Sequence, residues 1–289
     1  MNLVMGIFAF ANNQKSRNLM SNIVLPTERR KATDYNPRLM VIFGKPKSGK
    51  SSLMASLDNN LIIDLEDGYR ALDVMCVQAR SAADIFQIKA AIEEKNKENN
   101  NKPYYRFITI DNATRLEEMS VIYANHLYQK TSMGQAWGWK KDDIGNLLLV
   151  NGKKVPDPKA DVRQLPNGAG WGYMRKALKE IIDMFKPLCD TLILVCHVKD
   201  KQIKKNDEET TEMVVDLAGK TGDIICGEAD AIGYVSRQGN KTLLSFKGGE
   251  NNIKGSRPIH LREKVFEVAS SDEEGNLHVD MSQIFLKSE

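Results

Sequence analysis

Eight consecutive residues limit what this chain can fold into more than any other stretch. Residues 44–51 read GKPKSGKS and match G-x-x-x-x-G-K-[ST] at every fixed position. The motif carries meaning only with a strand before it and a helix after it. The run LMVIF at 39–43 supplies the strand, and SSLMASL at 51–57 reads as the first turns of a helix. Glycines let the backbone curl until its N–H groups face phosphate oxygens. The helix start adds the positive end of its dipole. The candidate nucleotide-binding residues are therefore Gly44, Lys45, Pro46, Lys47, Ser48, Gly49, Lys50, Ser51 and Ser52. Lys50 would reach the β- and γ-phosphates and the Ser51 hydroxyl would bind Mg²⁺, with Ser52 at the α-phosphate.

A loop of this kind works with a carboxylate at the end of another strand. YRFITID at 105–111 is β-branched and aromatic and ends in Asp111, which joins Ser51 as a candidate metal ligand. Capping the following helix is the rival role for Asp111. Thr114 and Glu117 are spaced as a capping box for that helix, expected over 115–128. A second acidic strand, LIIDLED at 61–67, follows the first helix and places Asp64, Glu66 and Asp67 in or just after a buried run. Ligands of parallel α/β sheets bind at the carboxyl ends of strands. Glu66 is thus a candidate catalytic residue that orients or deprotonates an attacking water. The alternative is a solvent-facing edge of three acids.

Composition narrows the class. Hydrophobic residues make up 42% and charged residues 27%, with a net charge of +3, as expected of a soluble globular chain. The mild basicity permits a polyanionic partner without requiring one. Cys76, Cys189, Cys196 and Cys226 form no C-x-x-C pair, which argues against structural zinc and for a reducing, cytoplasmic setting. No apolar run approaches a membrane span, and the N-terminal stretch lacks the basic leader of a signal peptide.

Taken together, the P-loop, IIDLEDGYRALD at 62–73 and FITIDNATRL at 107–116 resemble the core of RecA-like ATPases. The resemblance implies an α/β fold with a mostly parallel central sheet flanked by helices, and ATP and Mg²⁺ as cofactors. Glu66 matches the glutamate that ends the strand after the P-loop helix in that family. LILVCHVKD at 192–200 resembles the next core strand, whose polar tip senses the γ-phosphate. Many members have glutamine there. This chain has His197, either a sensor or a satisfied polar residue. DLAGKTGDIICGEADAIGYV at 216–235 resembles the compact phage RecA-like ATPases that include single-strand-annealing partners of the Sak group. The resemblance spans residues 38–261.

It also implies partners: DNA, single-stranded by preference, a second copy of the chain in a ring or filament with ATP between subunits, and a single-strand-binding protein. The loop after the sensor strand binds DNA in such proteins, which singles out Lys199, Lys201, Lys204 and Lys205. Asp207, Glu208, Glu209 and Glu212 follow and offset them, so a solvated charged hairpin is the alternative. Basic residues beyond the last core strand act on the neighbour's phosphate in these assemblies, which makes Lys247 and Arg257 candidates for catalysis across a subunit boundary.

The chain divides into a segment 1–37, a core 38–262 and a tail 263–289 expected to cap the core. Phe8-Ala9-Phe10-Ala11 in the first segment is either an oligomerisation strand or a plain N-terminal strand. Within the core a helix is expected over 81–95, then a polar surface loop over 95–102. An insertion at 131–169 contains a hairpin around Asn151-Gly152 and Trp137 and Trp139, which either pack inside it or contact DNA together with Lys140, Lys141 and Arg163. Residues 171–186 form an amphipathic helix. The function expected is Mg²⁺-dependent ATP hydrolysis coupled to DNA annealing or recombination. A helicase-like motor is the close alternative. A small-molecule P-loop kinase or a non-hydrolysing assembly protein would be a different class, and no N-K-x-D segment points to a GTPase.

Overall fold

A computed structural model describes residues 25–205, 208–249 and 252–287. Residues 1–33 and 34–289 are separate units. In the first, the described residues 25–33 contain no helix or strand, and the Phe8–Ala11 pattern lies outside the described residues. The second unit runs β1 (Leu39–Gly44), α1 (Lys50–Ala55), β2 (Asn60–Asp64), β3 (Met75–Gln78), α2 (Ala82–Glu98), β4 (Tyr105–Asp111) and α3 (Ala113–Gln129). A small hairpin of β5 (Leu149–Val150) and β6 (Lys153–Lys154) follows, then α4 (Gly170–Phe185), β7 (Cys189–Lys205), β8 (Glu208–Val215) and α5 (Thr221–Glu228). The chain continues through β9 (Ala231–Gln238), β10 (Lys241–Ser245), β11 (Gly255–Ser256), β12 (Val265–Ser271) and β13 (Leu277–Val279).

The main sheet has the order β13-β12-β10-β9-β1-β7-β4-β2-β3. Every pairing from β9 to β3 is parallel, and β10, β12 and β13 extend the sheet antiparallel. The α/β fold with a mostly parallel sheet is the one expected. Parallel strands are covered on both faces and so read as continuous apolar runs. Both β1 and β2 are buried at every position. Alternate residues of β1 serve opposite faces. Leu39, Val41 and Phe43 pack into one core with Ile85, Leu116, Ile181 and Ile225 from α2 to α5. Met40 and Ile42 pack into the other with Leu53 and Met54 of α1.

The second face explains the role of the C-terminal residues. A six-residue α1 cannot cover it alone. Leu261, Met281, Ile284 and Phe285 complete the cover, with the Phe285 ring 4.6 Å from that of Phe107. Residues 263–287 were expected as a tail. They do cap the core, and they also carry two strands of the main sheet and six of the buried side chains on this face. Asn36 and Leu286 exchange hydrogen bonds of 3.0 and 2.7 Å, which tie the two ends of this unit together.

Two local expectations are corrected and a third is met. Helix α2 continues to Glu98, into the first half of the polar stretch expected as a loop, with a Ser81–Asp84 capping box at its start and Lys95 and Lys97 in its last turn. The Thr114–Glu117 capping box does not form. Asn112 caps α3, Thr114 Oγ1 donates to Asp216 O at 2.7 Å, and Glu117 accepts the Ala218 N–H at 2.9 Å. The expected hairpin does form, with Asn151 and Gly152 both at positive φ as its turn requires. Trp137 packs on Tyr128 of α3, and Trp139 donates to Gln135 O under the Lys154 ammonium. Among the described residues no helix is long and apolar enough to cross a membrane.

Candidate nucleotide-binding site

The site grows from the carboxyl ends of four adjacent strands. β1 ends at Gly44, where a Cβ would stand 2.5 Å from Val235 O. Only glycine lets β9 close against the loop at this point. Gly49, at φ 102°, turns the loop into α1. The Lys50 side chain is buried and its Nζ donates to Gly44 O and Lys45 O at 2.9 and 3.0 Å, which holds the ammonium inside the loop. Burial lowers its pKa, and the nearby Asp111 and Glu66 charges oppose that shift.

β4 ends in Asp111, which is also buried. Its Oδ2 accepts the Tyr69 hydroxyl at 2.6 Å and the Ser51 hydroxyl at 3.4 Å. Burial raises the Asp111 pKa, while the Tyr69 hydrogen bond and the Lys50 charge hold it down. The Ser51 hydroxyl and the Asp111 carboxylate are hard oxygen donors, the type Mg²⁺ prefers. No group of three or more acidic, His or Cys residues forms a metal cage among the described residues. Such a pair suits Mg²⁺, which takes one or two protein oxygens and fills the rest of its shell from phosphate and water.

The three acids at the end of β2 and just after it separate into three roles. Asp64 is buried, lies opposite Asp111 in register, and its Oδ1 accepts the Glu66 N–H at 3.0 Å. Asp67 turns away at positive φ to pair with Arg70 and Gln78. Glu66, with its side chain 46% exposed, faces the cleft, and its Oε2 is 3.5 Å from His197 Nε2. His197 lies opposite Gly44 on β7. Because β7 runs between β1 and β4, His197 stands between the P-loop and Asp111. Lys47, Lys50, Ser51, Ser52, Glu66, Asp111 and His197 line one cleft of about 360 Å³.

Five residues of this cleft, Tyr69, Arg237, Thr242, Ala269 and Leu277, were not foreseen. Tyr69 reaches Asp111 from the loop that also carries Glu66. Arg237 on β9, Thr242 on β10 and Ala269 on β12 form a cross-strand row that closes the far wall, beside Leu277 of β13. No local pattern announces them, since the strand pairing alone brings them to the P-loop.

Pro46 and Gly49 line the cleft as well, whereas Lys199, Lys201, Lys247 and Arg257 do not. Lys199 Nζ donates to Leu217 O and lies 3.3 Å from Asp216, and Lys201 is 3.9 Å from Asp223. In the β7–β8 hairpin, Lys201 is opposite Glu212, Lys204 opposite Glu209 and Lys205 opposite Glu208. Lys247 is exposed just beyond β10. Arg257 is tied within its own chain, to Asp230 Oδ1 at 3.2 Å, Glu228 O at 3.1 Å and Gly227 O at 2.7 Å.

Residues 36–258 match the AAA domain. The chain belongs to the AAA-domain family. In this AAA domain the P-loop, Glu66, Asp111 and His197 all fall inside the matched span, whereas Ala269 and Leu277 of the cleft lie beyond it. A search of curated proteins finds no match. Among solved structures the chain is similar to the crystal structure of the RadB recombinase, at 10% identity and a TM-score of 0.43, over 83% of this chain and 90% of that one.

Proposed function

We propose that the protein is a Mg²⁺-dependent ATPase that acts on DNA, in single-strand annealing or recombination of the kind served by compact phage RecA-like ATPases. The observation that carries the ATPase reading is the convergence of Lys50, Ser51, Asp111, Glu66 and His197 on one cleft from four neighbouring strand ends. Backbone N–H groups of residues 44–51 would hold the phosphates, with Lys50 as the fixed positive charge. Ser51 and Asp111 would hold Mg²⁺, which when bound supplies charge neutralisation to the transferring phosphate. Glu66 has its carboxylate exposed to the cleft and its main-chain N–H held by Asp64, so it can orient and deprotonate water there.

Support for DNA comes from the resemblance of the core and from the lysines of the β7–β8 hairpin, which continues the His197 strand outward. Asp207, Glu208, Glu209 and Glu212 offset these lysines in the sequence, so DNA contact would draw on only part of the hairpin. Assembly into a ring or filament would bring Lys247, and Arg257 after release from Asp230, toward a neighbour's nucleotide. A cytoplasmic location and a single-strand-binding protein as partner belong to the same reading.

The test is steady-state ATP hydrolysis by the purified protein with and without single-stranded DNA. The expected result is hydrolysis without any added small-molecule acceptor, stimulated by DNA and lost in Lys50→Ala. Hydrolysis that ignores DNA would remove the DNA half of the proposal and leave the ATPase. Phosphate transfer only to an added acceptor would replace both with a kinase.

A further inference from the structure

The amide of Asn112 sits between the metal acid and the sensor histidine, and its orientation is determined by geometry. Asn112 follows Asp111 directly and is 1% exposed. As the cap of α3, its Oδ1 accepts the Arg115 N–H at 2.8 Å. A backbone N–H can only donate, so that end of the amide is the oxygen. The other end, Nδ2, is then an NH₂ group, and it lies 2.8 Å from His197 Nε2. An amide NH₂ donates, so Nε2 must accept and the ring proton must sit on Nδ1. Nδ1 is itself buried and has no hydrogen-bond partner among the described residues.

We propose that Asn112 is a positioning residue that sets the tautomer of His197, and so decides whether the sensor can donate a hydrogen bond into the cleft. The proposal rests on the ATPase reading for its meaning, since His197 matters only if a phosphate is sensed. With Nε2 a bare acceptor, the 3.5 Å approach of Glu66 Oε2 is a contact between two acceptors, not an ion pair. Glu66 therefore keeps its full acceptor capacity for water. His197 offers no donor at Nε2 to a phosphate oxygen until the Asn112 bond is broken, by rotation of the ring or by a proton arriving at Nε2. Breaking that bond releases a group on the residue that both caps α3 and adjoins Asp111. The sensor and the metal acid are thereby joined through one side chain.

The experiment is ¹⁵N NMR of the full chain labelled in its four histidines, with His197→Gln to identify the resonances. The wild-type ring is expected to show a protonated Nδ1 and an unprotonated Nε2. Asn112→Asp retains an oxygen to cap α3 and presents an acceptor where the donor stood. Its Nε2 shift should move to the protonated range, and kcat should fall with KM for ATP unchanged. A wild-type ring protonated on Nε2 would overturn the proposal, as would a ring unchanged by Asn112→Asp. If Asn112→Asp does not fold, the wild-type spectrum alone decides between the two outcomes. Loss of hydrolysis in Lys50→Ala is scored separately, so the tautomer assignment can fail while the ATPase reading stands.

Discussion

Tyr69→Phe removes one hydroxyl and nothing else from the floor of the cleft. The ring is 3% exposed and packs in the core beneath α1, so phenylalanine keeps the burial. What is lost is the 2.6 Å bond to Asp111 Oδ2. The remaining Ser51 contact, at 3.4 Å, is too long to replace it. Hydrogen bonds to charged groups are worth about 1.5–3 kcal/mol, and both partners here are buried, so solvent does not weaken this one. For a chain of this size that corresponds to a fall in Tm of roughly 3–12 °C. The loss should depend on pH with a definite sign. Burial already raises the folded-state pKa of Asp111 above 3.8, and the Tyr69 bond opposes that rise. Without the bond the folded pKa climbs further. The penalty is then full above the variant's Asp111 pKa and shrinks as pH falls through that value toward the wild-type one. Urea unfolding of both proteins near pH 8 and then at successively lower pH measures it. Equal stability at the higher pH, or a penalty that grows on acidification, would refute the reasoning.

Two further substitutions probe the frame of the site. Gly44→Ala places a Cβ 2.5 Å from Val235 O, and backbone must move to admit it. A loss of about 1–3 kcal/mol in urea unfolding is expected, with weaker binding of a fluorescent ATP analogue; unchanged binding would show that β9 does not press on the loop. Phe285→Ala removes a ring from the core face that α1 leaves open, and should cost about 3–5 kcal/mol. A cost below about 1 kcal/mol would return residues 263–287 to the status of a tail.

The parts of the site that could be read from the sequence are those whose physics is local. A P-loop needs its glycines, lysine and hydroxyl in consecutive positions, and the β4 acid announces itself by ending a β-branched run. The position of Glu66 was legible for the same reason, although β2 ends at Asp64, two residues before it. Contacts between distant segments were not legible. Thr114 and Glu117 have the spacing of a local cap, yet their partners are Asp216 and Ala218, a hundred residues on, and the tertiary bonds win. Tyr69 looks like any loop tyrosine until α1 and β4 place Ser51 and Asp111 beside it. The C-terminal strands read as an acidic tail because their buried positions are few and separated. Their importance comes from the shortness of α1 on the face they cover.

The central claim is that Glu66 acts on water at a nucleotide held by Lys50, Ser51 and Asp111. Glu66→Gln keeps the side-chain shape and removes the base. Paired measurement of nucleotide binding and single-turnover hydrolysis in this variant tests the claim most directly. The account predicts ATP affinity close to wild type with hydrolysis slowed roughly 10²- to 10⁴-fold. Hydrolysis within a few-fold of wild type, with binding intact, would contradict it and leave the cleft without its proposed base.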